Sequence, residues 1–190
     1  MKNFWTQKYQ NNQTGWDLGK ISNPLQEYIN QLTNKDLKIL IPGAGNSYEA
    51  EYLHNNGFTN VTVMDISENP LENIQKRMPT FPKEKLICCD FFEQKDTFDL
   101  IIEQTFFCAL NPSMREKYVE KMHESLNKKG KIVGLMFCVP MFSEHPPYGG
   151  NMEEYKTLFS DKFEIKTMEN SKNSEESRDG KEVFINFIKK

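Results

Sequence analysis

The chain lacks the features that mark several large classes of protein. No stretch reaches the ~18 consecutive apolar residues of a membrane span, and the polar start, MKNFWTQKYQNNQTGWD, contains no apolar signal-peptide core. A cytoplasmic protein that neither crosses nor binds a membrane is expected. Basic residues are not in excess: 24 Lys and Arg stand against 27 Asp and Glu, so there is no electrostatic footprint for nucleic acid. Histidine is scarce, with His54, His123 and His145 far apart. The four cysteines, Cys88, Cys89, Cys108 and Cys138, form no Cys-x-x-Cys pair. Ligands at zinc spacing are missing, so no metal is expected, and the apolar setting of each cysteine suits a buried thiol. Internal repeats and low-complexity segments are also wanting.

What is present has the pattern of an α/β protein. The length of 190 residues supports one substantial core and leaves no room for a second full domain. From Leu37 onward, apolar runs of strand length (LKILIP, NVTVMD, KLICCD, FDLIIE, KIVGLMFCVP) alternate with segments of helical period. Asn46 or Ser47 is placed to cap the first of these helices, with Tyr48, Tyr52 and Leu53 on one face and Gly57 at its end. Ser67 caps the next, whose inner stripe is Leu71, Ile74 and Met78. The spacing of Met114, Tyr118, Met122 and Leu126 predicts a helix capped by Asn111 and stopped by Gly130, with Lys128 and Lys129 in its last turn. A final helix over about 151–159 leads into FEIKTME, which NSKNSEESRDG turns back into KEVFINFIKK as an antiparallel hairpin. The expected fold is a Rossmann-like, seven-stranded, mainly parallel sheet with an antiparallel last strand and helices on both faces.

The chemistry starts in KILIPGAGNSY. In open α/β sheets ligands bind beyond the carboxyl ends of the strands, and Gly43 and Gly45 let the backbone turn tightly there and approach a ligand. Asp65 ends the second strand 22 residues past Gly43, close to the ~20-residue offset of an acid that accepts hydrogen bonds from ribose hydroxyls. A dinucleotide loop needs a third glycine where this chain has Tyr48. That counts against an NAD-dependent oxidoreductase and favours a ribosyl-adenine cofactor without a pyrophosphate, of which S-adenosylmethionine is the common one. Asp90 can accept from an adenine amino group, or can simply begin a loop. Glu103 can take the amino group of a methionine moiety or a cationic centre, or can serve as a cap or ion-pair partner.

Taken together, FWTQKYQNNQTGWDLGK, ILIPGAGNSYEAEYLHNNG, VMDIS, CDFF, FDLIIEQTFFCALNPSMREKY and PPYGG resemble the thiopurine methyltransferase family of class I S-adenosylmethionine-dependent methyltransferases, nearest to its halide and thiol methyltransferase branch. The resemblance implies a single methyltransferase domain over 1–190, with 1–36 as a lid over the cofactor and 37–190 as the Rossmann-like core. It implies that Trp5 and Trp16 contact cofactor or substrate, that Gly43 and Gly45 pass beneath the methionine part, that Asp65 holds the ribose, that Asp90 with Phe91 flanks adenine, and that Ile66 and Glu103 also belong to the cofactor site. Phe106-Phe107-Cys108-Ala109 stands where larger thiopurine enzymes carry an arginine, which favours small anionic nucleophiles over a thiopurine.

A soft nucleophile such as a thiolate, hydrosulfide, thiocyanate or halide needs no proton removed during in-line displacement. No dedicated general base is therefore expected, and placement and water exclusion are what the protein must supply. Trp5, Trp16, Phe106 and Tyr148 are the candidate pocket walls. For a neutral thiol, His145 or Tyr148 is placed to assist deprotonation; Cys108 is not expected to act as a nucleophile. The expected product is S-adenosylhomocysteine, the expected partner a small molecule, and the expected state a monomer or weak homodimer. A binding protein without chemistry is the remaining alternative.

Overall fold

The computed structural model describes residues 2–190, and the chain divides into two compact units, one up to Gln94 and one from Lys95 on. The first contains α1 (Lys2–Gln10), α2 (Asn23–Asn30), β1 (Ile39–Pro42), α3 (Tyr48–Asn55), β2 (Val61–Asp65), α4 (Glu68–Arg77) and β3 (Leu86–Cys88). The second contains β4 (Phe98–Gln104), α5 (Arg115–Glu124), β5 (Leu126–Phe137), α6 (Met152–Phe159), β6 (Phe163–Asn170) and β7 (Glu182–Lys189). Seven strands form a mixed sheet; those of the first unit run β3-β2-β1 and those of the second β4-β5-β7-β6.

In the first unit β1, β2 and β3 are parallel, in register from Ile39 opposite Val61 and from Val63 opposite Leu86. Every residue of β1 and β2 is buried, as the unbroken apolar runs demand of strands covered on both faces. In α4, Leu71 and Ile74 are buried as expected, as is Met78 just after the helix; Pro70 is also buried and sits in the first turn, where no intrahelical N–H is lost. The buried face of α3 is Glu49, Ala50 and Leu53, one step round from the expected Tyr48–Tyr52–Leu53 stripe. Ser47 starts that helix, but with a left-handed φ of +43° and no side-chain cap, and Ser67 likewise caps α4 by position only.

In the second unit β4 and β5 are parallel, and β7 runs antiparallel to both β5 and β6, which is the expected closing hairpin. The helix predicted to reach Gly130 ends at Glu124 instead. Lys128, Lys129 and Gly130 belong to β5, whose first residue, Leu126, pairs with Phe98. The register shifts there, Lys129 takes φ +63°, and a Cβ on Gly130 would lie 3.0 Å from the Phe98 carbonyl oxygen. Leu126 is 1% exposed, so its burial in the strand outweighs its helical spacing. Among the described residues no helix is long and apolar enough to cross a membrane. The expectation of four buried thiols needs correction: Cys108 is buried, Cys89 and Cys138 are half-buried, and Cys88, on the short and half-covered strand β3, is exposed.

Candidate active site

In the first unit the loop after β1 is shaped by left-handed glycines, with φ +55° at Gly43 and +54° at Gly45. Asp65, at the carboxyl end of β2, is fastened to that loop: Oδ2 accepts from the Gly45 N–H at 3.0 Å, and Oδ1 from the Ser67 N–H at 2.8 Å. The carboxylate is 7% exposed. Burial raises its pKa above the ordinary range, and the backbone N–H groups pull it partly back. The Ile66 N–H also favours the ionised form; a carboxylate offers about four lone-pair sites, so acceptor capacity remains for a ribose hydroxyl. Tyr48, at the position where a dinucleotide loop would carry glycine, lies under the Arg77 guanidinium at 4.5 Å. Arg77 also pairs with Glu51 and donates to the Asn46 carbonyl at 2.5 Å, which fixes the outer side of the loop.

The N-terminal segment rests on the same loop. Trp5 and Tyr9, one turn apart on α1, both meet Trp16 edge-on, with centroids at 5.4 and 5.7 Å. The Trp16 indole N–H donates to the Tyr9 hydroxyl. A Cβ added to Gly45 would sit 3.0 Å from that hydroxyl and 3.7 Å from Trp16 Nε1, so glycine is required both by φ and by what covers it. Burial and the nearby Asp65 charge push the Tyr9 phenol upward, keeping it neutral. Asp17 accepts from Asn46 of the loop, and the Thr6 hydroxyl lies 3.2 Å from that of Ser67. Trp5, Trp16, Gly45 and Asp65 are thus gathered with Gly43 and Ile66 around the ends of β1 and β2. Tyr9 was not singled out from the sequence, although its spacing of four from Trp5 on a helix was a usable signal.

Asp90 stands on the loop after β3, half-buried, and caps the short turn Phe91–Glu93 by accepting from the Phe92 N–H at 3.0 Å. Phe91 beside it is 4% exposed. Both fit an adenine edge and face in kind, with one carboxylate and one ring.

In the second unit Glu103 is fully buried, and its carboxylate is taken up locally. Oε1 accepts from the Phe106 and Phe107 N–H groups at 2.8 and 3.0 Å, and Oε2 accepts from the Tyr118 hydroxyl. These are the partners of a cap, the second of the two roles open to this acid. Burial pushes its carboxyl up to about 7 against the pull of those three donors. Phe106 is half-buried, and Tyr148, 6% exposed, donates its N–H to the Cys108 carbonyl at 2.7 Å. The Cys108 thiol donates to the Thr105 carbonyl at 3.3 Å, and burial with the Glu103 charge raises its pKa, so it stays protonated. His145 is exposed and stacked on Phe142 at 4.3 Å. Arg115, under the Phe107 ring and paired with Glu154, donates to the Gly149 carbonyl at 2.6 Å and steadies the loop that carries Tyr148.

A mainly parallel sheet with a left-handed glycine loop, and a buried acid on the next strand bonded to that loop, is a Rossmann-like framework of the kind class I methyltransferases use. The comparisons agree. The family model described as thiopurine S-methyltransferase matches residues 1–189. A probable thiol methyltransferase 2 from Arabidopsis thaliana is 30% identical over 81% of this chain and 70% of its own length. Thiocyanate methyltransferase 1 from Brassica oleracea is 29% identical over 94% and 81%. The fold is also that of the Burkholderia thailandensis 1,6-didemethyltoxoflavin-N1-methyltransferase, solved with bound 1,6-didemethyltoxoflavin and S-adenosylhomocysteine: TM-score 0.81 at 14% identity, covering 99% of this chain and 86% of that one. The chain belongs to the thiopurine S-methyltransferase family and is an S-adenosylmethionine-dependent methyltransferase.

Proposed function

We propose that the chain transfers a methyl group from S-adenosylmethionine to a small soft nucleophile: a thiol or hydrosulfide, thiocyanate, or a halide. The observation that carries this reading is the chemistry of the residues proposed for the acceptor in the second unit. Phe106 is apolar, Cys108 is held as a thiol and the Glu103 carboxylate is occupied by its own turn. Such a lining suits an acceptor that arrives already anionic. The names of the thiol and thiocyanate methyltransferase relatives point the same way.

When bound, the cofactor supplies a methyl group on a sulfonium. In this reading Asp65 accepts from the ribose hydroxyls, Gly43 and Gly45 admit the methionine portion, Ile66, Asp90 and Phe91 hold adenosine, and Trp5 and Trp16 cover it. Phe106 and Tyr148 exclude water from the anion and orient it. The whole chain then acts as a single domain with 1–36 as lid. A net charge of −3 suits an enzyme for small molecules rather than nucleic acid, and a cytoplasmic monomer or weak homodimer is the proposed state.

Headspace analysis after mixing the protein with S-adenosylmethionine and sulfide, iodide or thiocyanate tests the proposal, with a thiopurine as competitor. Methanethiol, methyl iodide or methyl thiocyanate should appear with stoichiometric S-adenosylhomocysteine. Turnover of the thiopurine alone would overturn it.

A further inference from the structure

Thr105 lies between β4 and the turn that bears Phe106, and it takes φ +59°. A β-branched residue in the left-handed region is strained by ~1–3 kcal/mol and persists only where its surroundings over-determine it. Here the surroundings are Glu103. One oxygen of its carboxylate gathers the two N–H groups immediately after Thr105, while Tyr118 on α5 holds the other. The turn continues with Ala109 N–H to Phe106 O at 3.0 Å, and its Cys108 carbonyl carries the Tyr148 N–H. A single buried carboxylate therefore stands behind both residues assigned to the acceptor.

We propose that Glu103 is a positioning residue for methyl transfer, its ionised carboxylate clamping the strained Thr105 turn so that Phe106, and through the Cys108 carbonyl Tyr148, are held in place for the acceptor. This rests on the acceptor assignment above. The titratable groups that face the carboxylate are Tyr118 from α5 and Cys108 from the turn, both held neutral by burial. From β5 the residue opposite is Gly134, which has no side chain to titrate. Protonation of the clamp near neutrality weakens its acceptor oxygens towards both N–H groups. Acid pH should therefore loosen the turn without touching the cofactor loop of the first unit.

The test uses thiocyanate and iodide, which stay ionised throughout, so that any pH dependence belongs to the enzyme; hydrosulfide titrates near neutrality and would confuse the reading. With cofactor saturating, the acceptor KM of the wild type should rise roughly tenfold between about pH 7.5 and 5.5, while the profile of Glu103→Gln should be flat. Tyr118→Phe removes one donor to the ionised form and should move the midpoint upward, which a merely structural role would not do. Independently of any acceptor, the Phe106 and Phe107 amide protons should titrate with the same midpoint in NMR spectra of the wild type. Amides that do not titrate, an unaltered KM profile in Glu103→Gln, or a tenfold loss of S-adenosylhomocysteine affinity in that variant would each overturn the proposal. Failure of both anions to be methylated would sink the soft-nucleophile reading alone, since the amide titration still decides the clamp.

Discussion

Replacing Gly45 with alanine tests whether the N-terminal segment is seated on the glycine loop after β1. At φ +54° a residue with a Cβ costs ~1–2 kcal/mol by backbone sterics alone. The new Cβ would also lie 3.0 Å from the Tyr9 hydroxyl, so the phenol must give way by a few tenths of an ångström or α1 must lift, adding ~1 kcal/mol. The sum, ~2–3 kcal/mol, corresponds to a fall in Tm of roughly 5–10 °C for a chain of this size. Tyr9→Phe removes the oxygen and leaves the backbone cost, so Gly45→Ala should be milder by ~1 kcal/mol in that background. The four proteins of the cycle are compared by urea denaturation followed by circular dichroism, and calorimetric titration with S-adenosylhomocysteine reads the same coupling at the site. Additivity of the two substitutions within about 0.5 kcal/mol would refute the contact, and with it the N-terminal segment as a cover for the loop.

Asp65→Ala should weaken S-adenosylhomocysteine binding ~10–100-fold, the worth of one to two hydrogen bonds to a charged acceptor, and calorimetry showing an unchanged Kd would remove Asp65 from the site. Gly134→Ala would place a Cβ 2.0 Å from the Glu103 carbonyl oxygen, so β4 and β5 must shift; a loss of ~3 kcal/mol in urea unfolding is expected, and a Tm within about 2 °C of the wild type would contradict the observed register. Burial raises the Glu103 carboxyl from 4.5 in the unfolded chain to about 7 in the folded one, so the folded state binds this proton more tightly. Its contribution to stability is full below pH 4.5 and is lost as pH rises through 7, by up to ~3 kcal/mol. The stability difference between wild type and Glu103→Gln should shift by that amount over the same range, and a constant difference would show that Glu103 does not titrate there.

The parallel strands, the closing hairpin and the glycine loop were legible because each is written in local terms: unbroken apolar runs, turn residues, and an acid at a fixed offset. Where the sequence misled, a distant partner decided. Lys128, Lys129 and Gly130 have the composition of a helix end, yet Leu126 is recruited by Phe98 into the start of β5. Cys88 follows two apolar residues, but β3 is short and half-covered, so its thiol is exposed. Tyr9 reads as a polar aromatic in a polar segment until Gly45 places its φ and its missing Cβ directly beneath the phenol.

Asp65 and Glu103 show why a strand-ending acid is ambiguous from sequence. Each ends an apolar run, each is buried, and each has its carboxyl raised by burial and pulled back by N–H donors. Ionisation of either at neutral pH opposes folding, so both persist against a stability cost. Their partners separate them. Glu103 takes its backbone donors from the turn that follows its own strand and its third donor from Tyr118, so its oxygens are committed within the second unit. Asp65 accepts from Ser67 and Ile66 of its own turn but also from Gly45 in the loop of a different strand, and it lies near the neutral phenol of Tyr9. An acid whose backbone donors all come from the turn after its own strand holds that turn's shape, whereas one that also ties in the loop of another strand is the one proposed to meet a ligand; the strand-ending motif is common to both, and the partners distinguish them.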